Sequence, residues 1–110
     1  METREIDVDE LDRRLAEGAV LIDVRRPDEH EQAHIPGATL IPLDQVPDRV
    51  DELPADREIL VICRSGGRSA AACEFLMTNG IEATNIAGGM LAWIDSGRPF
   101  GGTAAERSEA

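Results

Sequence analysis

Short apolar runs alternate with amphipathic stretches along most of the chain. Ile59-Leu60-Val61-Ile62 is wholly apolar, as a strand covered on both faces of a sheet would be. Val20-Leu21-Ile22-Asp23-Val24 reads as a second buried strand. Ala38-Thr39-Leu40-Ile41 and Ala83-Thr84-Asn85-Ile86 are weaker strand candidates, and the segment from Arg4 to Val8 supplies another. Helical spacing fills the gaps between them. Asp9 is positioned to cap a helix carrying Leu11 and Leu15 that stops at Gly18. Leu43, Val46, Val50 and Leu53 form a second stripe, which tolerates Pro47 only in a first turn. Ala72, Phe75 and Leu76 form a third, closed by Asn79-Gly80. Leu91, Ile94 and Trp93 mark a last short helix that ends at Gly97 and Pro99. Strand and helix in alternation predict an α/β domain with a mainly parallel sheet.

The length of 110 residues suits one domain and one core. That domain is expected over residues 1–100, with a small, polar and charged stretch at 101–110 predicted to be a disordered tail. Aromatic residues make up 3%, so the core has to be built from Val, Ile, Leu and Ala. The net charge of -11 argues against a nucleic-acid partner, whose phosphates need a cationic face. No apolar run approaches the roughly 20 residues of a membrane span, and Met1 to Glu5 lacks a signal-peptide pattern. A cytoplasmic protein with two reduced thiols, Cys63 and Cys73, is therefore expected. No His/Cys cluster accompanies them, so no zinc site is predicted.

One loop stands apart. Cys63-Arg64-Ser65-Gly66-Gly67-Arg68-Ser69 lies between the clearest strand and a helix. Ligands of parallel α/β sheets bind outside the carboxyl ends of strands, where Cys63 falls. Gly66 and Gly67 let the backbone turn its N–H groups inward as an anion-binding nest, and the following helix adds the positive end of its dipole. Arg64 and Arg68 can add charge, and Ser65 or Ser69 a hydroxyl donor. Such surroundings lower a thiol pKa from its usual value of about 8.5. Cys63 is accordingly the candidate nucleophile, and Arg64, Ser65, Gly66, Gly67, Arg68 and Ser69 are the candidate substrate-binding residues.

Cys63 to Arg68 resembles the active-site loop of the rhodanese superfamily. Leu21 to His30, followed by Ala33-His34-Ile35-Pro36-Gly37-Ala38, is similar to that family's N-terminal pattern. The stretch from Gly88 to Pro99 is similar to its C-terminal one. Two positions depart from the pattern. Ala33 stands where Gly is usual, and Met90 where an aromatic residue is frequent. The resemblance implies a three-layer α/β/α fold around a mainly parallel five-stranded sheet. It also implies a sulfurtransferase that moves sulfane sulfur from an anionic donor, thiosulfate or a persulfide, through a Cys63 persulfide. The acceptor would be a thiol or cyanide, and a protein can serve as donor or acceptor. No metal or organic cofactor is implied.

Asp23, at a strand end, is expected to support the loop by holding one of its arginines. Arg25 and Glu29 are expected to form a structural ion pair. His34 belongs to a structural turn, and Cys73, Phe75 and Trp93 to the core. Two alternatives remain at this point. A protein-specific persulfide carrier or interaction module would use the same loop. A cysteine-dependent phosphatase or arsenate reductase would set Cys and Arg one residue further apart than the four-residue spacing between Cys63 and Arg68.

Overall fold

The computed structural model describes residues 3–108. Its elements run β1 (Arg4–Ile6), α1 (Val8–Ala16), β2 (Val20–Asp23), α2 (Pro27–Gln32), β3 (Thr39–Leu40), α3 (Val46–Arg49), β4 (Ile59–Ile62), α4 (Gly67–Thr78), β5 (Ala83–Ile86), α5 (Gly89–Asp95) and α6 (Thr103–Ser108). The five strands are ordered β1-β5-β4-β2-β3 and every pairing is parallel. No helix of the described residues is long and apolar enough to cross a membrane.

The apolar run of β4 is the spine of the domain. All four of its residues are completely buried, and alternate side chains enter opposite cores. Ile59 and Val61 pack with Ala72, Cys73 and Leu76 of α4 on one side of the sheet. Leu60 and Ile62 pack with Leu11 of α1 and with Met90 and Trp93 of α5 on the other. Helices thus cover both faces, which gives the three-layer α/β/α arrangement. Cys63, the first residue past β4, continues the alternation and joins the α4 side.

Several elements differ in detail from the sequence reading. α1 begins at Val8 rather than after Asp9, because the Asp7 carboxylate accepts the Glu10 N–H at 2.9 Å. Asp9 then lies in the first turn, and Arg13 and Arg14 in the last, each matching the helix dipole. The stripe from Leu43 to Leu53 is not one helix. It divides into 3₁₀ turns at Leu43–Gln45 and Val50–Glu52 around the single turn of α3, with Pro47 near the start of that turn.

The chain past residue 100 reads as disordered from its composition, yet over the described residues it is built onto the domain. Gly101 and His34 exchange backbone hydrogen bonds of 2.8 and 3.0 Å, and α6 follows beside α2. Composition misses this because the contacts use backbone groups and glycine rather than apolar side chains. A Cβ on Gly102, for example, would lie 2.6 Å from the carbonyl oxygens of Glu31 and Gln32. Residues 109–110 fall outside the described residues.

α5 buries Trp93 as expected but turns outward the other two residues that marked the helix. Met90 and Trp93 are buried, whereas Leu91 and Ile94 are 46% and 37% exposed. The cause is its entry. Gly88 and Gly89 both take positive φ, 78° and 55°, and bring α5 against the end of β4. The Met90 N–H then donates to the Cys63 carbonyl at 2.9 Å and the Leu91 N–H to the Arg64 carbonyl at 3.1 Å.

A side chain at Gly89 has nowhere to go, since its Cβ would lie 2.4 Å from the Cys63 carbonyl oxygen, a backbone atom. Gly67, in contrast, is helical and has open space around the Cβ position. Gly89→Ala should therefore lose about 2–4 kcal/mol of unfolding free energy in urea denaturation. Gly67→Ala should be neutral or gain up to about 1 kcal/mol.

Candidate active site

The Cys63 sulfur lies on the floor of the loop that joins β4 to α4, and the residue as a whole is 1% exposed. Water cannot solvate an anion there, so the protein must. The Gly66 N–H donates to Sγ at 3.1 Å and the Ser69 hydroxyl at 3.2 Å. Gly66 reaches that position at φ 120°, a conformation that only glycine adopts without strain. Burial pushes the Cys63 thiol up, but the Ser69 hydroxyl and the N–H groups of Ser69, Gly66 and Ser65 together pull harder. The outcome is a pKa below the ordinary thiol value.

Ser69 is itself held from below. Its hydroxyl lies within reach of the Gly66 carbonyl at 3.3 Å and contacts Oδ1 of Asn85 in β5. Asn85 is buried, and its amide donates to Glu5 Oε2 at 2.9 Å and to the Gly66 carbonyl at 3.2 Å. With both amide protons engaged, Oδ1 faces Ser69 as an acceptor, so the one hydroxyl proton of Ser69 is shared among Oδ1, the Gly66 carbonyl and the Cys63 sulfur. Asn85 of β5, a weaker strand candidate in the sequence, is thus a support for the loop.

The two arginines of the loop differ in environment. Arg68 is clamped by Glu29 of α2 through two bonds of 2.6 and 2.9 Å. Arg64 is exposed, and among the arginines with described side chains it is the one without a hydrogen-bond or ion-pair partner. Acidification of Cys63 therefore comes chiefly from hydrogen bonds inside the loop. Ser65 and Gly67 lie exposed at its mouth, and Ser65 contributes its backbone N–H.

Asp23 does not hold a loop arginine, contrary to expectation. It is fully buried and takes Arg25 in a bidentate pair, with Nε at 2.9 Å and Nη2 at 2.7 Å. Local geometry decides this, because Arg25 is two residues away and its own N–H also bonds the same carboxylate at 3.1 Å. Arg25 passes the constraint on, donating to the carbonyls of Ala33 at 2.6 Å and Glu29 at 3.4 Å. Support thus runs from Asp23 through Arg25 to α2, and from α2 through Glu29 to Arg68. The expected Arg25–Glu29 ion pair is instead a contact to the Glu29 backbone.

Glu29 had no assigned part in the loop, and α2 itself was not anticipated. Pro27 followed by Asp28-Glu29 was the available signal for its start, since the Glu29 carboxylate accepts the Arg26 N–H at 3.1 Å. Ala33 is extended at φ -158°, so glycine is not needed there. His34 Nδ1 bonds the His30 carbonyl at 2.7 Å, in keeping with a structural turn. Cys73 is fully buried in the α4-side core, and burial first, with the nearby Cys63 charge, pushes its thiol up to about 12. Among the described residues no group of three His, Cys, Asp or Glu side chains has an arrangement suited to a metal ion.

The comparisons with known proteins agree with this geometry. A family described as Rhodanese-like domain matches residues 7–96. A protein named sulfurtransferase from Allochromatium vinosum is 43% identical over 99 residues, covering 87% of this chain and 92% of that one. A putative sulfurtransferase of Bacillus subtilis is 37% identical over 101 residues, covering 90% and 98%. The crystal structure of a rhodanese-related protein from Thermoplasma volcanium superimposes with a TM-score of 0.84 at 33% identity, covering 89% and 97%.

The Glu29–Arg68 clamp has a definite pH signature. Arg68 hydrogen bonds outweigh burial and draw the Glu29 carboxyl down from 4.5 to about 2. A folded-state pKa below the unfolded one stabilises fully above about 4.5, and that contribution is lost as pH falls toward 2. Arg68 is 35% exposed, so screening reduces the contribution to about 1–2 kcal/mol. Glu29→Gln should be less stable than the parent by that amount at pH 7. The difference should close between about pH 4.5 and 2 in denaturation curves.

Proposed function

The chain belongs to the rhodanese-like family of sulfurtransferases, and from that premise we propose that Cys63 carries sulfane sulfur as a persulfide between an anionic donor and a thiophilic acceptor. The observation that carries this reading is the buried sulfur of Cys63, which receives donors from Gly66 at 3.1 Å and Ser69 at 3.2 Å. Those donors favour the thiolate over the thiol, and the thiolate once formed attacks without a general base beside it.

In the first half-reaction, with thiosulfate as donor, the thiolate attacks the terminal sulfur. The new Sγ–S bond forms as the sulfur–sulfur bond of the donor breaks, and sulfite departs with the electron pair. Cys63 being 1% exposed favours a donor that enters tip first, as thiosulfate or a persulfide can. Arg64 and Arg68 bind the anionic end, where charge builds up on the departing sulfite, and the backbone N–H groups of Ser65, Gly66 and Ser69 hold the attacking sulfur. Gly67 leaves the mouth open.

In the second half-reaction a thiol or cyanide takes the outer sulfur and the Cys63 thiolate is restored. The enzyme alternates between thiolate and persulfide forms and sulfite leaves before the acceptor reacts, so turnover is ping-pong. The reading requires reduced thiols, as the cytoplasm maintains, and both cysteines are free. A persulfide carrier that serves a specific protein would use the same chemistry.

Mass spectrometry after incubation with thiosulfate tests the proposal. Wild type and Cys73→Ala should each gain the mass of one sulfur, lost on adding cyanide, and Cys63→Ser should gain none. Sulfur uptake that survives Cys63→Ser would refute it.

A further inference from the structure

One surface of the domain is left over by the fold and by the sulfur site. Leu91 and Ile94 are the exposed large apolar side chains among the described residues. They lie three positions apart on α5, hence on one helical face. With Gln32, Ala33, Ala104 and Glu29, whose carboxylate is taken up by Arg68, they line a cleft of about 310 Å³ that opens beside Arg64. Arg64 is also the arginine without a partner, in a chain whose other described arginines are matched by acids or a carbonyl.

The cleft is joined to the active-site loop by the backbone. The Leu91 N–H bonds the Arg64 carbonyl at 3.1 Å, and the Met90 N–H bonds that of Cys63 at 2.9 Å. Whatever rests on Leu91 and Ile94 is therefore seated next to Arg64, the residue that follows Cys63. Small thiols need no apolar surface. A cation next to an apolar pair, with a polar rim at Gln32, has the make-up of a protein-binding hot spot.

We infer that the cleft formed by Leu91, Ile94 and Arg64 docks a protein segment that presents the acceptor cysteine together with an apolar side chain and a carboxylate. The apolar side chain rests on Leu91 and Ile94, and the carboxylate pairs with Arg64. The net charge of -11 opposes an acidic partner only at long range. Salt screens that field beyond about 8 Å, so the contact with Arg64 sets the preference once the segment has arrived. The acceptor thiolate attacks the outer sulfur of the Cys63 persulfide. Its bond to that sulfur forms as the Sγ–S bond breaks, leaving an acceptor persulfide and the Cys63 thiolate, with charge conserved.

This inference rests on the persulfide reading, and the test separates the two. Short amidated peptides with one cysteine serve as acceptors from thiosulfate-loaded protein. One carries two leucines and a glutamate beside the cysteine, a second has lysine for the glutamate, and a third has serines for the leucines. The first should exceed each of the others in second-order rate about tenfold, equivalent to about 1.4 kcal/mol. Leu91→Ser/Ile94→Ser should abolish the preference for leucine with sulfur loading and cyanide turnover unchanged. Arg64→Glu should invert the preference between glutamate and lysine.

Equal rates for all three peptides on normally loaded protein would overturn the docking inference and leave the sulfur chemistry standing. A dimer in sedimentation that Leu91→Ser/Ile94→Ser dissolves would overturn it too, by assigning the face to a second copy. Failure of Cys63 to load would remove both readings.

Discussion

A sulfur anion excluded from water has to be solvated by the protein, and much of this domain's architecture answers that requirement. Cys63 is 1% exposed, so its charge depends on the Gly66 N–H and the Ser69 hydroxyl. Neither donor can be placed there alone. Gly66 needs a backbone conformation open to glycine, and Ser69 needs the first turn of α4 directly behind the strand end. The fully apolar β4 supplies the fixed point from which both are measured.

Around that centre lie three independent restraints. From β5, Asn85 holds Ser69 and the Gly66 carbonyl from below, with Glu5 of β1 fixing its amide. From α5, the N–H groups of Met90 and Leu91 tie down the carbonyls of Cys63 and Arg64. From α2, Glu29 fixes Arg68, and α2 is itself tied to β2 through Arg25 and Asp23. Parallel strand order brings these together at one end of the sheet, because β5 and β2 are the two neighbours of the central β4. Rigid donors cost little reorganisation when charge develops on sulfur.

Features with strong local signals were legible in the sequence. The unbroken run from Ile59 to Ile62 predicts a doubly covered strand, and the loop from Cys63 to Ser69 carries its chemistry in adjacent residues. Long-range polar partners were not legible. Nothing near Glu29 indicates that it will meet Arg68, 39 residues away. Asn85 lies in a weaker strand candidate, and its part in the site appears only when β5 lies beside the loop. Asp23 was assigned to the wrong arginine because a neighbour two residues away outcompetes a distant one. The outward turn of Leu91 and Ile94 on α5 was missed for a different reason. Two left-handed glycines set its rotation, and apolar spacing alone cannot separate Met90 and Trp93 from Leu91 and Ile94.

The central claim is that hydrogen bonds within the loop, and not a general base, make Cys63 a thiolate. Ultraviolet titration at the thiolate band measures this directly, and the chain has no tyrosine to obscure it. The account predicts one ionisation below the ordinary thiol value, absent in Cys63→Ser, retained in Cys73→Ala and displaced upward in Ser69→Ala. A Cys63 that titrates at or above an ordinary thiol, or one indifferent to the loss of the Ser69 hydroxyl, would contradict it.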